Sequence, residues 1–499
     1  MMMDIKLKIN EKYLCYKNLI LSFSNIKQSL IFLTLIYCVA YYPIIRANVY
    51  YQDDIGRAAF GYRGWDNYSR YVSNFLSNFI HANSHIADIS PLTQLIAISF
   101  LVVASLIVVI MFSDKKKISI WSLIAVLPIG LSPYFLECIS YKFDSPYMAL
   151  SVLVSIVPLL FYKEDTIIYM GASALGTILM CTTYQASSGI FPLIVCFFAF
   201  KKWLDDEDIL SSFIFIFKSA FGYLIGLIIF KYLIMAPDPS GNNVMYSLFE
   251  LPKEFINNLV LYYKVVNQDF DYKWKYLLIG IMFLFVFSNT VFAKKGKKTI
   301  VLLNSILVLV IGLSVCFGLY PALVNRLQTP RTMYGFGVFI AILMLNTVNI
   351  FKFDVYKNYI SRFLILGLCW SFFVLCFVYG NALNVQQKYI DYRIQLVLSD
   401  INKINIDSNE LNQIDIQGSI GFSPVVKNMQ LYKNGILRRL IKETFCSGSY
   451  FGSAYFLYYF GLENVEQVEG LDKNNMDLKY ETQFHTIYSK DNKILLILK

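Results

Sequence analysis

Leu30-Ile31-Phe32-Leu33-Thr34-Leu35-Ile36-Tyr37-Cys38-Val39-Ala40-Tyr41-Tyr42-Pro43-Ile44-Ile45 is followed almost at once by Tyr50-Tyr51-Gln52-Asp53-Asp54-Ile55-Gly56-Arg57. With its flanks, the first stretch reads as a membrane-spanning helix of about 20 residues. A charged side chain at mid-bilayer costs about 2.5–3.5 kcal/mol, so Asp53 and Asp54 belong in water or in a polar cavity where the span ends. If this segment is helical, Asp53 and Arg57 share a face and Asp54 points roughly 100° away. On that reading Arg57 holds Asp53 and leaves Asp54 free to act on a substrate. Both carboxylates are candidate catalytic residues, with Asp54 the favoured base.

Working outward, composition gives the class. The chain has 499 residues, 57% of them hydrophobic and only 16% charged, and its mean hydropathy is +0.51. A soluble domain carries about 25% charged residues, so a polytopic membrane protein is expected. The net charge of +10 does not point to nucleic acid, because the lysines cluster in short loops between apolar runs, the distribution that orients membrane proteins. The nine cysteines show neither CxxC nor Cys/His spacing, so no zinc site or disulfide framework is expected. His81, His85 and Asp88 would share a face if helical, which leaves a divalent metal open. No cofactor is otherwise implied.

Residues 1–28, with Lys6, Lys8, Lys12, Lys17 and Lys27, place the N-terminus in the cytoplasm. Further spans are expected near 92–112, 118–135, 146–162, 166–182, 186–200, 210–235, 276–292, 299–319, 332–350 and 361–379, about eleven in all. Their parity puts Asp53, Asp54, Glu137, Asp144, Arg331 and the tail on the outer side. In the outer loop 46–90, Trp65, Tyr68, Tyr71, Phe75 and Phe79 recur at helical steps and predict one apolar stripe lying in the interface plane. Leu248 to Val266 is amphipathic enough to lie there too. The tail from 381 contains no spanning run. Residues 383–402 extend the last helix, Asn412–Ile420 reads as a strand, and Thr486–Lys490 with Lys493–Leu498 read as a hairpin about Asp491-Asn492. Tyr450–Phe460 is strongly aromatic. The organisation expected is a segment 1–28, a membrane domain 29–380, and a small α/β domain 381–499 on the outer face.

The outward polar groups suit one chemistry. Arg57, Arg70 and Arg331 are candidate phosphate ligands, because the guanidinium fork matches phosphate oxygens. Glu137, Asp144, Tyr184 and Gln185 are candidates for an acceptor site or second acidic site. Acids beside arginines at a membrane surface fit the departure of a sugar from a lipid phosphate. A carboxylate takes the proton of an incoming hydroxyl while the transition state gains oxocarbenium character. No nucleotide-binding glycine pattern is present.

Several short stretches carry a resemblance. They are Tyr51-Gln52-Asp53-Asp54-Ile55-Gly56-Arg57 with Gly61, Trp65 and Arg70; Ser132-Pro133-Tyr134 through Tyr141-Lys142-Phe143-Asp144-Ser145; Thr183-Tyr184-Gln185-Ala186; Pro330-Arg331; and Asn381-Ala382-Leu383 with Gln386 and Tyr389. Together and in this order, the chain resembles the serotype-converting O-antigen glucosyltransferases of the type II Gtr family, and more widely the GT-C glycosyltransferases. The resemblance implies a catalytic acid in the first outer loop and a second acidic site after the third helix. It implies undecaprenyl-phosphate glucose as donor, lipid-linked O-antigen as acceptor, and a bacterial inner-membrane enzyme acting on the periplasmic side. The alternatives are an O-antigen polymerase and, outside enzymes, a flippase for lipid-linked glycans. A flippase would place charges along its spans, whereas here the acids gather at the outer edge.

Overall fold

The computed structural model describes residues 23–113, 118–205, 208–237, 244–293, 296–350, 355–404, 410–432, 435–448, 462 and 464–499. The aromatic run Tyr450–Phe460 and most of the N-terminal lead lie outside the described residues. Among the described residues, eight helices are long and apolar enough to cross a membrane: Ile26–Ala47, Leu92–Phe112, Thr166–Thr183, Gln185–Leu204, Ile209–Ile234, Tyr272–Val291, Lys298–Val315 and Tyr359–Ile401. Three further apolar helices are shorter, Ile120–Leu131, Ser145–Phe161 and Gly335–Val348. They occupy the positions of three of the eleven expected spans.

The shortening has local causes. Pro128 starts a new turn and splits the expected span 118–135 into Ile120–Val126 and Pro128–Leu131. Pro158 lies in the 3₁₀ stretch Val157–Phe161 that closes the next. Proline lacks the amide hydrogen and crowds the preceding turn, so a regular helix does not continue through it. The short helices are also the inner ones. Val338 through Leu345 are fully buried, whereas long outer helices expose Phe217, Leu233 and Leu303.

The first helix, Phe23–Ala47, packs along the long helix Val355–Ile401 and along Leu92–Phe112. Its buried Tyr41 donates to the Gly130 carbonyl at 2.7 Å, and Tyr37 lies 2.9 Å from the Ser105 hydroxyl. Gly130 must be glycine here, because a Cβ would stand 2.7 Å from the Tyr37 ring. These contacts fix the end of the helix from which the Asp53–Asp54 turn emerges.

The helix Val355–Ile401 runs unbroken through residue 380 and carries a five-stranded sheet on its far end. The strands are β1 (Asn412–Gly418), β2 (Val465–Gln467), β3 (Asp477–Glu481), β4 (His485–Lys490) and β5 (Lys493–Leu498), in spatial order β2-β1-β5-β4-β3. β1 pairs in parallel with β2 and β5, and β4 pairs antiparallel with β5 and β3. The β4–β5 hairpin turns at Asp491, whose φ of +51° is one that aspartate tolerates. Gln386 and Tyr389 clamp this unit to the helix: Gln386 donates to the Gly421 carbonyl and accepts from Ser423, and Tyr389 donates to the Ile420 carbonyl.

Candidate active site

The chain leaves the first helix at Ala47, passes Asn48 and Gln52 at positive φ, and enters the short helix Asp54–Phe60. Gly61 ends that helix at φ +64°, and a Cβ there would collide with the His85 ring. This turn separates the two carboxylates.

Asp54 faces inward and is fully buried. Its Oδ2 accepts the backbone amides of Tyr51 at 3.1 Å and Lys142 at 2.8 Å, and its Oδ1 accepts that of Phe143 at 3.3 Å. It thereby ties the loop after the first helix to the loop before Ser145. Burial pushes its pKa up to about 8, against the pull of those three amides. Lys142 backs the same joint: its ammonium contacts Asn48 at 2.7 Å and Asp88 at 2.8 Å and lies 4.0 Å over the Tyr50 ring.

Asp53 is half-buried, and no hydrogen bond or ion pair to its carboxylate occurs among the described residues. It lies in the field of Arg331, Arg57 and Arg70 and of one acid, Asp144. Burial lifts its pKa above the ordinary aspartate value, and the arginines counter that only in part. The expected pairing of Asp53 with Arg57 does not form, and Asp54 is not the free member of the couple. Tertiary packing captures the arginine first. Arg57 reaches Asp144 at 3.5 Å, donates to the Arg63 carbonyl, and stacks 4.1 Å over the Trp65 ring.

Trp65 corrects a second expectation. It is buried against Ile86, Phe143 and Tyr147, and its indole N–H donates to Asp144. The stripe fails to form one helix because the loop folds as a 3₁₀ turn, Asp66–Tyr68, followed by a separate helix, Tyr71–Ile80. Tyr68, Tyr71, Phe75 and Phe79 do stay exposed. Asp144, read as an acceptor or second acidic residue, is thus occupied by Trp65 and Arg57.

Glu137 is also enclosed. Its Oε2 accepts the Arg331 backbone amide at 2.8 Å, and its Oε1 lies 3.5 Å from the Tyr51 hydroxyl and 3.5 Å from the Lys442 ammonium. The Arg331 guanidinium donates to the Tyr141 hydroxyl. Arg70 donates to the Gln185 amide oxygen at 3.3 Å and stacks 4.6 Å from the Tyr184 ring. Gln185 in turn donates to the Tyr68 carbonyl. Arg70, distant in sequence, forms one wall with the neighbours Tyr184 and Gln185, and Arg331 with Tyr141 forms another. Tyr141, Tyr51 and Lys442 were not among the expected site residues. Tyr51 and Tyr141 both lie in stretches that carry the family resemblance, but nothing local marks Lys442.

His81, His85 and Asp88, which leave a metal open in the sequence, do not come together to hold one. The helix ends at Ile80 with His81 as its C-cap, so His81 and His85 do not share a helical face. His81 stacks on Phe143 and its Nδ1 bonds the Ala87 carbonyl, while Asp88 holds Lys142. Among the described residues no group of three or more His, Cys, Asp or Glu is placed to hold a metal ion.

What this arrangement can do is limited by its neighbours. One unpaired, partly buried carboxylate faces arginines on two walls. That arrangement is chemically suited to accepting a proton at Asp53 while neighbouring arginines stabilise anionic charge.

Comparison with known proteins adds family evidence. A family model described as "Glucosyl transferase GtrII" matches residues 42–342. A protein of Salmonella phage P22, described as "Uncharacterized 55.3 kDa protein in gtrB 5'region", is 25% identical over 421 residues, covering 80% of this chain and 83% of the relative. No solved structure matches.

Proposed function

This chain belongs to the glucosyl transferase GtrII family, and we propose that it moves glucose from undecaprenyl-phosphate glucose onto lipid-linked O-antigen at the periplasmic face of the bacterial inner membrane. The product is a serotype-modified lipopolysaccharide precursor. The donor is lipid-borne, so the reaction needs no nucleotide on the outer side.

The observation that carries this reading is the contrast at the Asp53–Asp54 turn: Asp53 is unpaired among arginines, and Asp54 is saturated by backbone amides. Asp53, rather than Asp54, is the general base. It takes the proton of the acceptor hydroxyl as that oxygen forms its bond to the anomeric carbon. The bond from that carbon to the phosphate oxygen breaks, and its electrons leave with undecaprenyl phosphate. Arg331 and Arg70 stabilise the charge that develops on the departing phosphate. Arg57 takes no direct part, because Asp144 and the Arg63 carbonyl hold it. It keeps the positive field at Asp53 in place. Tyr184 and Tyr141 are buried behind these arginines and hold them, Arg70 over the Tyr184 ring and Arg331 against Tyr141. Glu137 and Asp144 build the walls.

The test is transfer by purified protein in bilayer discs, with undecaprenyl-phosphate glucose and lipid-linked O-antigen, read by product mass. Glucosylated acceptor is expected from the wild type and not from Asp53→Asn. Wild type that releases no undecaprenyl phosphate in the presence of both substrates contradicts the reading.

A further inference from the structure

Within the C-terminal unit, the described segment 436–442 reaches the site. Ile436, Leu437, Leu440 and Ile441 are buried in the core of the helical domain, not in the core of the sheet that follows. The Leu440 carbonyl accepts the Tyr51 hydroxyl at 2.6 Å and the Tyr379 hydroxyl at 3.4 Å. Arg439 donates to Asp269 and to the Gln328 carbonyl, just upstream of Arg331. Lys442 then lies 3.5 Å from Oε1 of Glu137, whose Oε2 holds the Arg331 backbone amide. One carboxylate, 1% exposed, is therefore shared between the tail and the arginine that faces Asp53.

We propose that Lys442 is a positioning residue: it balances the charge of Glu137, and so keeps the Arg331 guanidinium free to contact the donor phosphate. The effect on the donor rests on the function proposed above; the effect on Arg331 does not. A buried carboxylate that loses its cation recruits another or is destabilised. Arg331 is the nearest replacement, since its own amide already sits on Glu137 and its side chain on Tyr141. Without Lys442 the guanidinium turns toward Glu137 and away from Asp53. The segment 436–442 thereby makes phosphate contact conditional on a docked C-terminal unit.

Two readouts separate the claims, measured on full-length wild type, Lys442→Met, Lys442→Arg, Glu137→Gln and the Glu137→Gln/Lys442→Met double variant. The first needs no substrate: the rate of phenylglyoxal modification of Arg331, followed by peptide mass. Lys442→Met should slow it about threefold or more, Lys442→Arg should leave it near wild type, and in the Glu137→Gln background Lys442→Met should add nothing. Unchanged Arg331 reactivity in Lys442→Met, or an equal effect in both backgrounds, overturns the proposal. The second is the KM for undecaprenyl-phosphate glucose, expected to rise about tenfold in Lys442→Met with a smaller change in kcat. An unchanged KM overturns the role at the donor. If Arg331 reactivity responds as expected but wild type transfers no glucose from that donor, the relay stands and the donor reading fails. Thermal unfolding of each variant, with Lys442→Arg as the folded control, excludes simple loss of structure.

Discussion

Asp53 and Asp54 are consecutive residues of the same turn, yet their surroundings are opposite. Every oxygen of Asp54 is engaged by a backbone amide, and behind it Lys142, Asp88 and Asn48 close a second polar joint. Asp53 has arginines around it and no partner among the described residues. A buried carboxyl group that accepts three amides is holding two loops together, and one so enclosed is not placed to exchange a proton with a substrate. A carboxylate left unpaired despite partial burial is the member of the couple proposed here to meet substrate. A related division recurs among the arginines: Arg57 is paired with the Asp144 carboxylate, whereas Arg70 and Arg331 rest on the neutral groups of Gln185, Tyr184 and Tyr141, with no carboxylate bound to either guanidinium among the described residues.

The sharpest way to break this contrast is to neutralise each acid. Asp53→Asn should lower transfer about 10²–10⁴-fold, the usual weight of a placed general base, with thermal unfolding close to wild type. Asp54→Ala should act on stability instead. It leaves three buried amides without an acceptor, at about 1–3 kcal/mol each, and should appear as a lowered unfolding temperature and reduced yield of folded protein. The pH dependence carries the sign of its shift. Asp54 in the folded protein titrates near 8, above its unfolded value, so the stability it contributes is full below about 4 and is lost as pH rises toward about 8. Unfolding followed across that window should show this slope in wild type and not in Asp54→Asn.

A smaller effect sharpens the arginine half of the contrast. Arg331→Lys keeps the charge but loses the fork that reaches Tyr141, so donor KM should rise about tenfold. Arg57→Lys should instead lower stability, since it abandons the Trp65 face and the Arg63 carbonyl. Smallest in size is the shift of the acid limb of kcat/KM. Because burial raises Asp53, transfer should fail as pH drops through a value above the aspartate norm of about 4, and Arg70→Gln, which removes a countercharge, should move that limb higher.

Much of this was legible in sequence because it depends on period and punctuation. Apolar runs gave the helices, Asp491-Asn492 gave the hairpin, and the acid couple marked the site region. The pairing within the site was not legible. Asp53 and Arg57 have the spacing of a helical pair, but the helix begins only at Asp54 and Arg57 turns to Asp144, 87 positions away. Trp65 fits the aromatic period of its neighbours, and only the turn at Asp66–Tyr68 sends it inward. Three spans came out short because Pro128 and Pro158 interrupt them and because the innermost helix, Gly335–Val348, is walled by protein on all sides. Lys442 sits in a stretch with no pattern of its own, and its role rests entirely on what Leu437 and Leu440 pack against.

The most direct test compares glucosyl transfer per folded molecule for Asp53→Asn and Asp54→Asn, reconstituted side by side with undecaprenyl-phosphate glucose. Asp53→Asn should be well folded and inactive, and Asp54→Asn should be less stable but transfer glucose in whatever fraction folds. Wild-type transfer by Asp53→Asn, or a stable Asp54→Asn that is dead, would contradict this assignment of roles.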